Sequence, residues 1–391
     1  MENSDCSKLN ECQHASLCFK SDCSRMIPIF QPSFAENEKV FLNECIDTGW
    51  ISSQGKFVDR FEEAFANRAG VHHATTASNC TAALHLSMAA LGIGPGDEVL
   101  CPDLTFIAPA NMIALTGARP ILVDVEPTSW AIDPELMVAA LGPNTKAVVV
   151  VHPFGHAADM DPIMEIARAH DLIVIEDVAE AIDATYKGTP VGTIGDVSCY
   201  SFFANKIMTT GEGGMVLSKD AAVDKTLRIY RDHGMSRERR YHHVVPGFNY
   251  RMTNMQAAIG LAQLERLDQI QAKRTAQAEL YAQLFAGNER AEWRPSEDWS
   301  GGVHWLATLT LADPLWRDPL MVHMSEIGIE GRPMINPVHE AVHFATEYNA
   351  ERFPVSRDIS HRSLHVPSST GLTDAEIIFI AESIKAWLAQ R

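Results

Sequence analysis

The chain has 391 residues, 46% of them hydrophobic and 21% charged, a soluble globular profile long enough for a sizeable core and more than one domain. Its 32 basic against 50 acidic side chains leave a net charge of −18, which argues against nucleic acid and anionic membranes as main partners but leaves room for an anionic small molecule beside local arginines. No apolar run reaches the roughly eighteen residues of a membrane helix and the first 25 residues lack the apolar core of a signal peptide, so the expected location is cytoplasmic.

Residues 1–26 read as a disordered leader. Cys6, Cys12, Cys18 and Cys23 crowd it with His14, at gaps longer than the two-residue spacing of a metal knuckle. Cys45, Cys80, Cys101 and Cys199 are dispersed and read as reduced thiols. Met26 opens the first globular stretch, "MIPIFQPS". From about residue 75, short branched apolar runs alternate with helical ones. "DEVLCPD", "RPILVDVEP", "KAVVVVHPFG", "DLIVIEDV" and "DVSCYSFF" read as buried strands, and "CTAALHLSMAALG", "APANMIALTG" and "DMDPIMEIARAHD" as the helices between them. That alternation predicts an α/β fold with a mostly parallel sheet covered on both faces, over residues 27–255. After residue 253 the run "TNMQAAIGLAQLERLDQIQAKRTAQAELYAQLF" reads as a long connector helix. "VHWLATLTL" and "DAEIIFIAESIKAWLAQ" then place a smaller α+β domain within 256–391.

In such a sheet ligands gather beyond the carboxyl ends of the strands, so reactive groups there matter most. Glu176 and Asp177 end the strand in "DLIVIEDVAEAI" and Glu180 follows, a pattern equally suited to a helix cap. Lys206, in "SFFANKIMTTGEGGMVL", follows a later strand and precedes a glycine cluster; alone it would pass for a surface lysine. "TTASNCTAALHL" (75–86) leads small polar residues into a helix, which offers free N–H groups and a dipole end to a phosphate, or simply an N-cap at Ser78 or Asn79. Phe106, in "LTFIAPAN", stands beyond another strand end as a ring that can stack. Together an amine, a buried acid and a phosphate seat meet the demands of pyridoxal 5′-phosphate: a carbonyl partner, a group that keeps a pyridine nitrogen protonated, and an anion site.

The run "IEDVAEAIDATYKGTPVGTIGDVSCYSFFANKIMTTGEGGMV" resembles the core of the nucleotide-sugar aminotransferases, fold-type I enzymes that use pyridoxal phosphate. "IPIFQPSFAENEKVFLNECIDTGWISSQGKFVDRFE", "VHPFGHAADMDPI" and "GMSRERRYHHVVPGFNYRMTNMQAAIGLAQLE" extend the resemblance from Ile27 to near the C-terminus. It implies a seven-stranded, mostly parallel sheet with a smaller C-terminal domain. It also implies Lys206 as the cofactor-binding lysine and proton shuttle, and Asp177 as partner of the pyridinium nitrogen. Glu180 would lie beside the ring near its hydroxyl, with Phe106 stacked on the ring. Cys80, Thr81 and Ser201 would hold the phosphate, which Asn249 would reach from the second subunit of a homodimer. Trp50, Ser52, Arg251 and Arg332 would contact the sugar nucleotide. The reaction implied moves an amino group from L-glutamate to the C4 ketone of a nucleotide-linked 4-keto-6-deoxy sugar, GDP-4-keto-6-deoxymannose before a dTDP- or UDP-linked one. The family's dehydratase branch carries histidine in place of this lysine. Departures are Cys80 and Ala204, where the family has glycine, and Ile335, Asn336 and His243 near the expected sugar site.

Two readings compete from outside that class. "HEAVH", 339–343, matches a zinc-peptidase motif, which needs a helix that presents both histidines on one face and a third ligand downstream. A non-catalytic binder that keeps fold and cofactor is the other; an intact Lys206, Asp177 and phosphate turn speak against it. The expectation is an enzyme without a metal.

Overall fold

The structure, a computed structural model, describes residues 26–391; the N-terminal leader, with its four cysteines, lies outside the described residues. Chain order gives β1 (His73–Ala77), β2 (Glu98–Pro102), β3 (Arg119–Val123), β4 (Thr145–Val151), β5 (Ile173–Asp177), the two-residue β6 (Thr185–Tyr186) and β7 (Thr189–Pro190), then β8 (Val197–Ser201) and β9 (Gly214–Ser218). All but β6 and β7 build one seven-stranded sheet in the order β1-β9-β8-β5-β4-β2-β3. Pairings from β8 across to β3 are parallel, and β9 runs against both of its neighbours.

Period-two alternation explains why these strands are apolar throughout. Along β4, Val148 and Val150 join one buried cluster while Ala147, Val149 and Val151 join another, so each face of the strand is covered. The helix Cys80–Ala90 supplies Ala83, Leu84 and Leu86 to the second cluster, and the helix Lys56–Ala69 supplies Phe57, Phe61 and Phe65 to the first. The expected α/β architecture is therefore present, with two strands that the apolar pattern does not announce. β1 is His-Ala-Thr-Thr-Ala, its Thr75 and Thr76 buried by hydrogen bonds rather than by hydrophobicity, and β9 begins on a glycine.

The C-terminal part adds β10 (Ala291–Trp293), β11 (Ser300–Gly301), β12 (Ala307–Leu311), β13 (Arg332–Pro333) and β14 (Ser363–Val366). Four of these form the sheet β10-β12-β14-β13, backed by Tyr281 and Phe285 and by Ile377, Ile380 and Ile384 of the last helix. β11 instead joins β6 and β7. The stretch read as one connector helix is two, Asn254–Glu265 and Leu267–Phe285. They break at Arg266 (φ −117°, ψ 11°), whose guanidinium is held by Ser33 and Glu38. At the other end of the chain, Ile27 N–H donates to Gly328 O at 2.8 Å and Ile29 N–H to Glu330 Oε2 at 2.9 Å.

β1 is fixed by a buried charge cluster. Glu62 accepts from Thr76 N–H and Oγ–H, both at 2.8 Å, from Arg231 at 2.8 Å and from Arg228 at 2.7 Å. Burial pushes its carboxyl upward, but Arg231 and then Arg228 outweigh that and the net pKa is lowered. A depressed carboxyl stabilises the fold above the ordinary carboxylate range, and that contribution fades as pH falls through its folded value. Glu62→Ala removes the carboxylate that faces half-buried Arg231 and leaves Arg228 its bond to Asp224, and is expected to cost about 1–3 kcal/mol in urea unfolding at pH 7, with a smaller deficit near pH 3.

Candidate active site

Strand polarity brings four separate segments to one edge of the sheet. β5 ends at Asp177, paired with Cys199 of β8; Ser201 at the end of β8 pairs with Gly214 at the start of β9; and Gly214 pairs with Ala77 at the end of β1. From that edge the chain after Ala77 turns into the helix Cys80–Ala90. Asn79 caps this helix, its side chain accepting from Ala82 N–H at 2.7 Å. Among the described residues the N–H groups of Cys80 and Thr81 have no partner, and both open the first turn of the helix. Gly214 lies so close that a Cβ there would stand 2.6 Å from Asn79 C and O and 2.9 Å from Cys80 N. The glycine cluster is thus a matter of backbone approach.

Cys80 has a negative φ, so the helix start does not require glycine there. Its side chain joins the buried cluster that holds Ala83 and Cys199, and burial, with Asp177 next, pushes its thiol pKa well up. It is a small apolar filler here, not a nucleophile.

Lys206 sits in the loop between β8 and β9, its N–H donating to Phe203 O at 2.9 Å. Its Nζ lies 3.6 Å from Glu180 Oε1 and 3.5 Å from the centre of the Trp305 ring. The other Glu180 oxygen accepts from Phe154 N–H at 2.7 Å. Trp305 in turn donates from Nε1 to Asn205 O at 2.6 Å and stacks on Phe154 at 5.8 Å and 9°. Trp305 and Phe154 carry no sequence signal of their own, since they fall in runs that read simply as strands.

Asp177 is 5% exposed, and among the described residues its carboxylate accepts one hydrogen bond, from Ala179 N–H at 3.0 Å. Burial, resisted by that bond and by Lys206 and reinforced by Glu180, pushes its pKa up to about 6. Its neighbour Glu176 is differently served. Glu176 accepts from His152 Nε2 at 3.0 Å and from the N–H groups of Gly192, Ile194 and Gly195, and despite burial its carboxyl stays lowered. So the first carboxylate of the pair is fully matched within the protein, and the second is in no ion pair among the described residues.

The remaining expected residues stand on other segments. Phe106 is 59% exposed, beyond β2. Asn249 is exposed with Oδ1 accepting from Arg251, which also pairs with Asp232 at 2.8 Å; the adjacent Tyr250 O accepts from Ser78 N–H at 2.7 Å, beside the helix start. Trp50 and Ser52 are exposed, their carbonyls held by Asn254, from Nδ2 at 2.7 Å and from N–H at 2.6 Å. Arg332 is exposed and pairs with Glu330 at 3.4 Å. The two histidines of "HEAVH" point to separate partners. His339 donates to Asp103 at 2.8 Å, His343 meets Asn111 at 2.7 Å, and a single 3-10 turn, Val338–Glu340, gives way to extended backbone at Ala341. Among the described residues no three His, Cys, Asp or Glu side chains cluster for a metal, and no helix is long and apolar enough to cross a membrane.

Comparison with known proteins settles the class. Residues 32–385 match the DegT/DnrJ/EryC1/StrS aminotransferase family. The chain belongs to that family. It is 44% identical over 363 residues to a GDP-perosamine synthase of Caulobacter vibrioides, covering 91% of this chain and 96% of that one. A GDP-perosamine synthase of Escherichia coli O157:H7 is 40% identical over 367 residues, covering 94% and 100%. The PLP-form structure of Spr1654 from Streptococcus pneumoniae superposes with a TM-score of 0.89 at 25% identity, covering 93% of this chain and 99% of that one. The fold is that of the fold-type I aminotransferases, and the enzyme depends on pyridoxal phosphate.

The aminotransferase has the groups that cofactor needs. A buried carboxylate without a cation matches a protonated ring nitrogen, two unpartnered helix N–H groups match a phosphate, and a primary amine lies between two edges of the site. The charge balance at Asp177 is testable without any ligand. A carboxyl raised from 3.8 to about 6 makes the cofactor-free protein less stable as pH rises across that interval, by about 3 kcal/mol in all. Asp177→Asn is therefore expected to raise the unfolding free energy of the stripped protein at pH 7 and to flatten that pH slope, while weakening retention of the cofactor in gel filtration.

Proposed function

We propose that this aminotransferase takes the amino group of L-glutamate and delivers it to C4 of GDP-4-keto-6-deoxymannose, giving GDP-perosamine, and that it works as a homodimer. The observation that carries the reading is the Lys206 amine, held 3.6 Å from Glu180 at the sheet edge that also bears the cation-free Asp177. Near full-length similarity to two GDP-perosamine synthases supports the choice of sugar. The route belongs to the formation of deoxyamino sugars for surface polysaccharides such as O-antigen.

When bound, pyridoxal phosphate supplies an aldehyde carbon and a cationic ring that draws electrons from the carbon under attack. The protein's part is to hold and to move protons. Lys206 would hold the aldehyde at rest; freed as an amine, its Nζ would carry a proton from the glutamate α-carbon to the cofactor carbon in the first half and from that carbon to sugar C4 in the second, ending each half unprotonated. Asp177 would accept the ring N–H and so keep that nitrogen protonated. Glu180, oriented by Phe154 N–H, would serve the ring hydroxyl, and Phe106 would stack on the ring. The Cys80 and Thr81 N–H groups and Ser201 would hold the phosphate, joined by Asn249 from the second copy of the homodimer. The exposure of Asn249, beside a segment bonded to Ser78, supports that last role. Trp50, Ser52, Arg251 and Arg332 flank the site as contacts for the sugar nucleotide.

The test is a coupled assay with purified enzyme, glutamate and pyridoxal phosphate, offering GDP-, dTDP- and UDP-linked 4-keto-6-deoxy sugars in parallel. Mass spectrometry is expected to find an amino sugar on GDP. Product on dTDP or UDP alone would replace the substrate and keep the reaction. Lys206→Ala is expected to lower turnover at least a thousandfold and Asp177→Asn at least a hundredfold. Near-normal rates in either would overturn the assignment.

A further inference from the structure

Arg294 is an enclosed cation that the proposed chemistry leaves unused. Arg294, just after β10, donates from Nη1 to Pro153 O at 2.8 Å and from Nη2 to Ser129 O at 3.0 Å. Those carbonyls immediately precede Phe154 (φ 50°) and Trp130 (φ 63°), two bulky residues in the left-handed region that such side chains seldom enter. The same guanidinium lies 4.5 Å from the Trp130 ring centre and 5.6 Å from that of Phe154, and the rings meet edge to face at 6.1 Å. Its Nε is buried without a partner among the described residues. Burial lowers its pKa, and the carboxylate that counteracts this is Glu180.

Phe154 is the link from this clamp to the reacting groups. Its N–H donates to Glu180 Oε2 at 2.7 Å, and its ring stacks on Trp305 at 5.8 Å. Glu180 and Trp305 both lie against Lys206 Nζ, at 3.6 Å to the carboxylate and 3.5 Å to the ring centre. Both supports of the amine therefore run back to one left-handed residue. A relaxed φ at Phe154 could not keep its N–H on Glu180 and its ring on Trp305 together. Left-handed conformations outside glycine persist where the surroundings over-determine them, and here one planar fork holds two.

We infer that Arg294 is a positioning residue for amino transfer: by clamping the carbonyls before Trp130 and Phe154 it fixes the turn that aims Glu180 and seats Lys206. It touches no reacting atom itself. The inference rests on the reading that Lys206 carries the reaction. A plain structural brace would affect melting alone.

The test uses holoenzyme and two readouts: steady-state kinetics with glutamate and the keto sugar, and the pH midpoint of the bound cofactor's visible absorption without substrates. Arg294→Gln is expected to lower kcat at least tenfold with both KM values within threefold, and to move the midpoint by half a pH unit or more. Glycine adopts a positive φ without help, so in a Phe154→Gly background the same change is expected to lower kcat less than twofold. Equal losses in both backgrounds would overturn the inference, as would an Arg294→Gln enzyme with wild-type kcat and midpoint but a lower melting temperature. Arg294→Lys keeps the cation and loses the fork; it carries the same comparison if the glutamine variant does not fold. Turnover by Lys206→Ala would instead remove the reading of the site, whatever Arg294 does.

Discussion

The antiparallel insertion of β9 between β8 and β1 is the constraint on which the site depends. Because β8 runs parallel to β5 and β9 runs back, the loop between them begins and ends at the edge where Asp177 stands. Because β1 pairs with β9, the helix that follows β1 starts at that same edge. An amine, a carboxylate and a helix N-terminus from three distant stretches of chain are thereby brought to one edge by hydrogen-bond register, and the Lys206–Glu180 contact joins two of those stretches directly. The contact that makes this possible is Gly214 against Asn79 and Cys80, where no side chain fits.

Electrostatics at this edge is arranged by matching some groups and leaving others unmatched. Glu176 is completed by a histidine and three amides, so it contributes to the fold alone. Asp177, one residue on, accepts from one amide among the described residues, and burial raises its pKa. Adjacent residues on one strand point to opposite faces, which lets a structural acid and a ligand-binding acid follow each other without interfering.

Much of this was legible in the sequence for a physical reason: parallel strands buried on both faces leave unbroken apolar runs, and "KAVVVVHPFG" and "DLIVIEDV" are of that kind. β1 was not legible, because its threonines are satisfied by Glu62 and Asp224, partners remote in sequence. The break at Arg266 was equally hidden, since its cause is a carbonyl and a carboxylate on residues 33 and 38. At the site, Lys206, Asp177 and the helix start could be named from residue type and position. Trp305, Phe154 and Arg294 could not, because stacking partners and left-handed backbone leave no periodicity to read. "HEAVH" shows the converse: spacing has chemical meaning only on a helix, and this segment leaves helical geometry after one turn.

The pairing of Ile27 and Ile29 with residues 328–330 bears on how the chain comes to be folded at all. Ile29 and the carboxylate that holds it are 301 positions apart, so during synthesis this segment waits for residues 328–330. The large sheet has all its strands by residue 218 and can close while translation continues. The stitch between the two segments is then a closure of very high sequence separation, made after the strands of the large sheet are available.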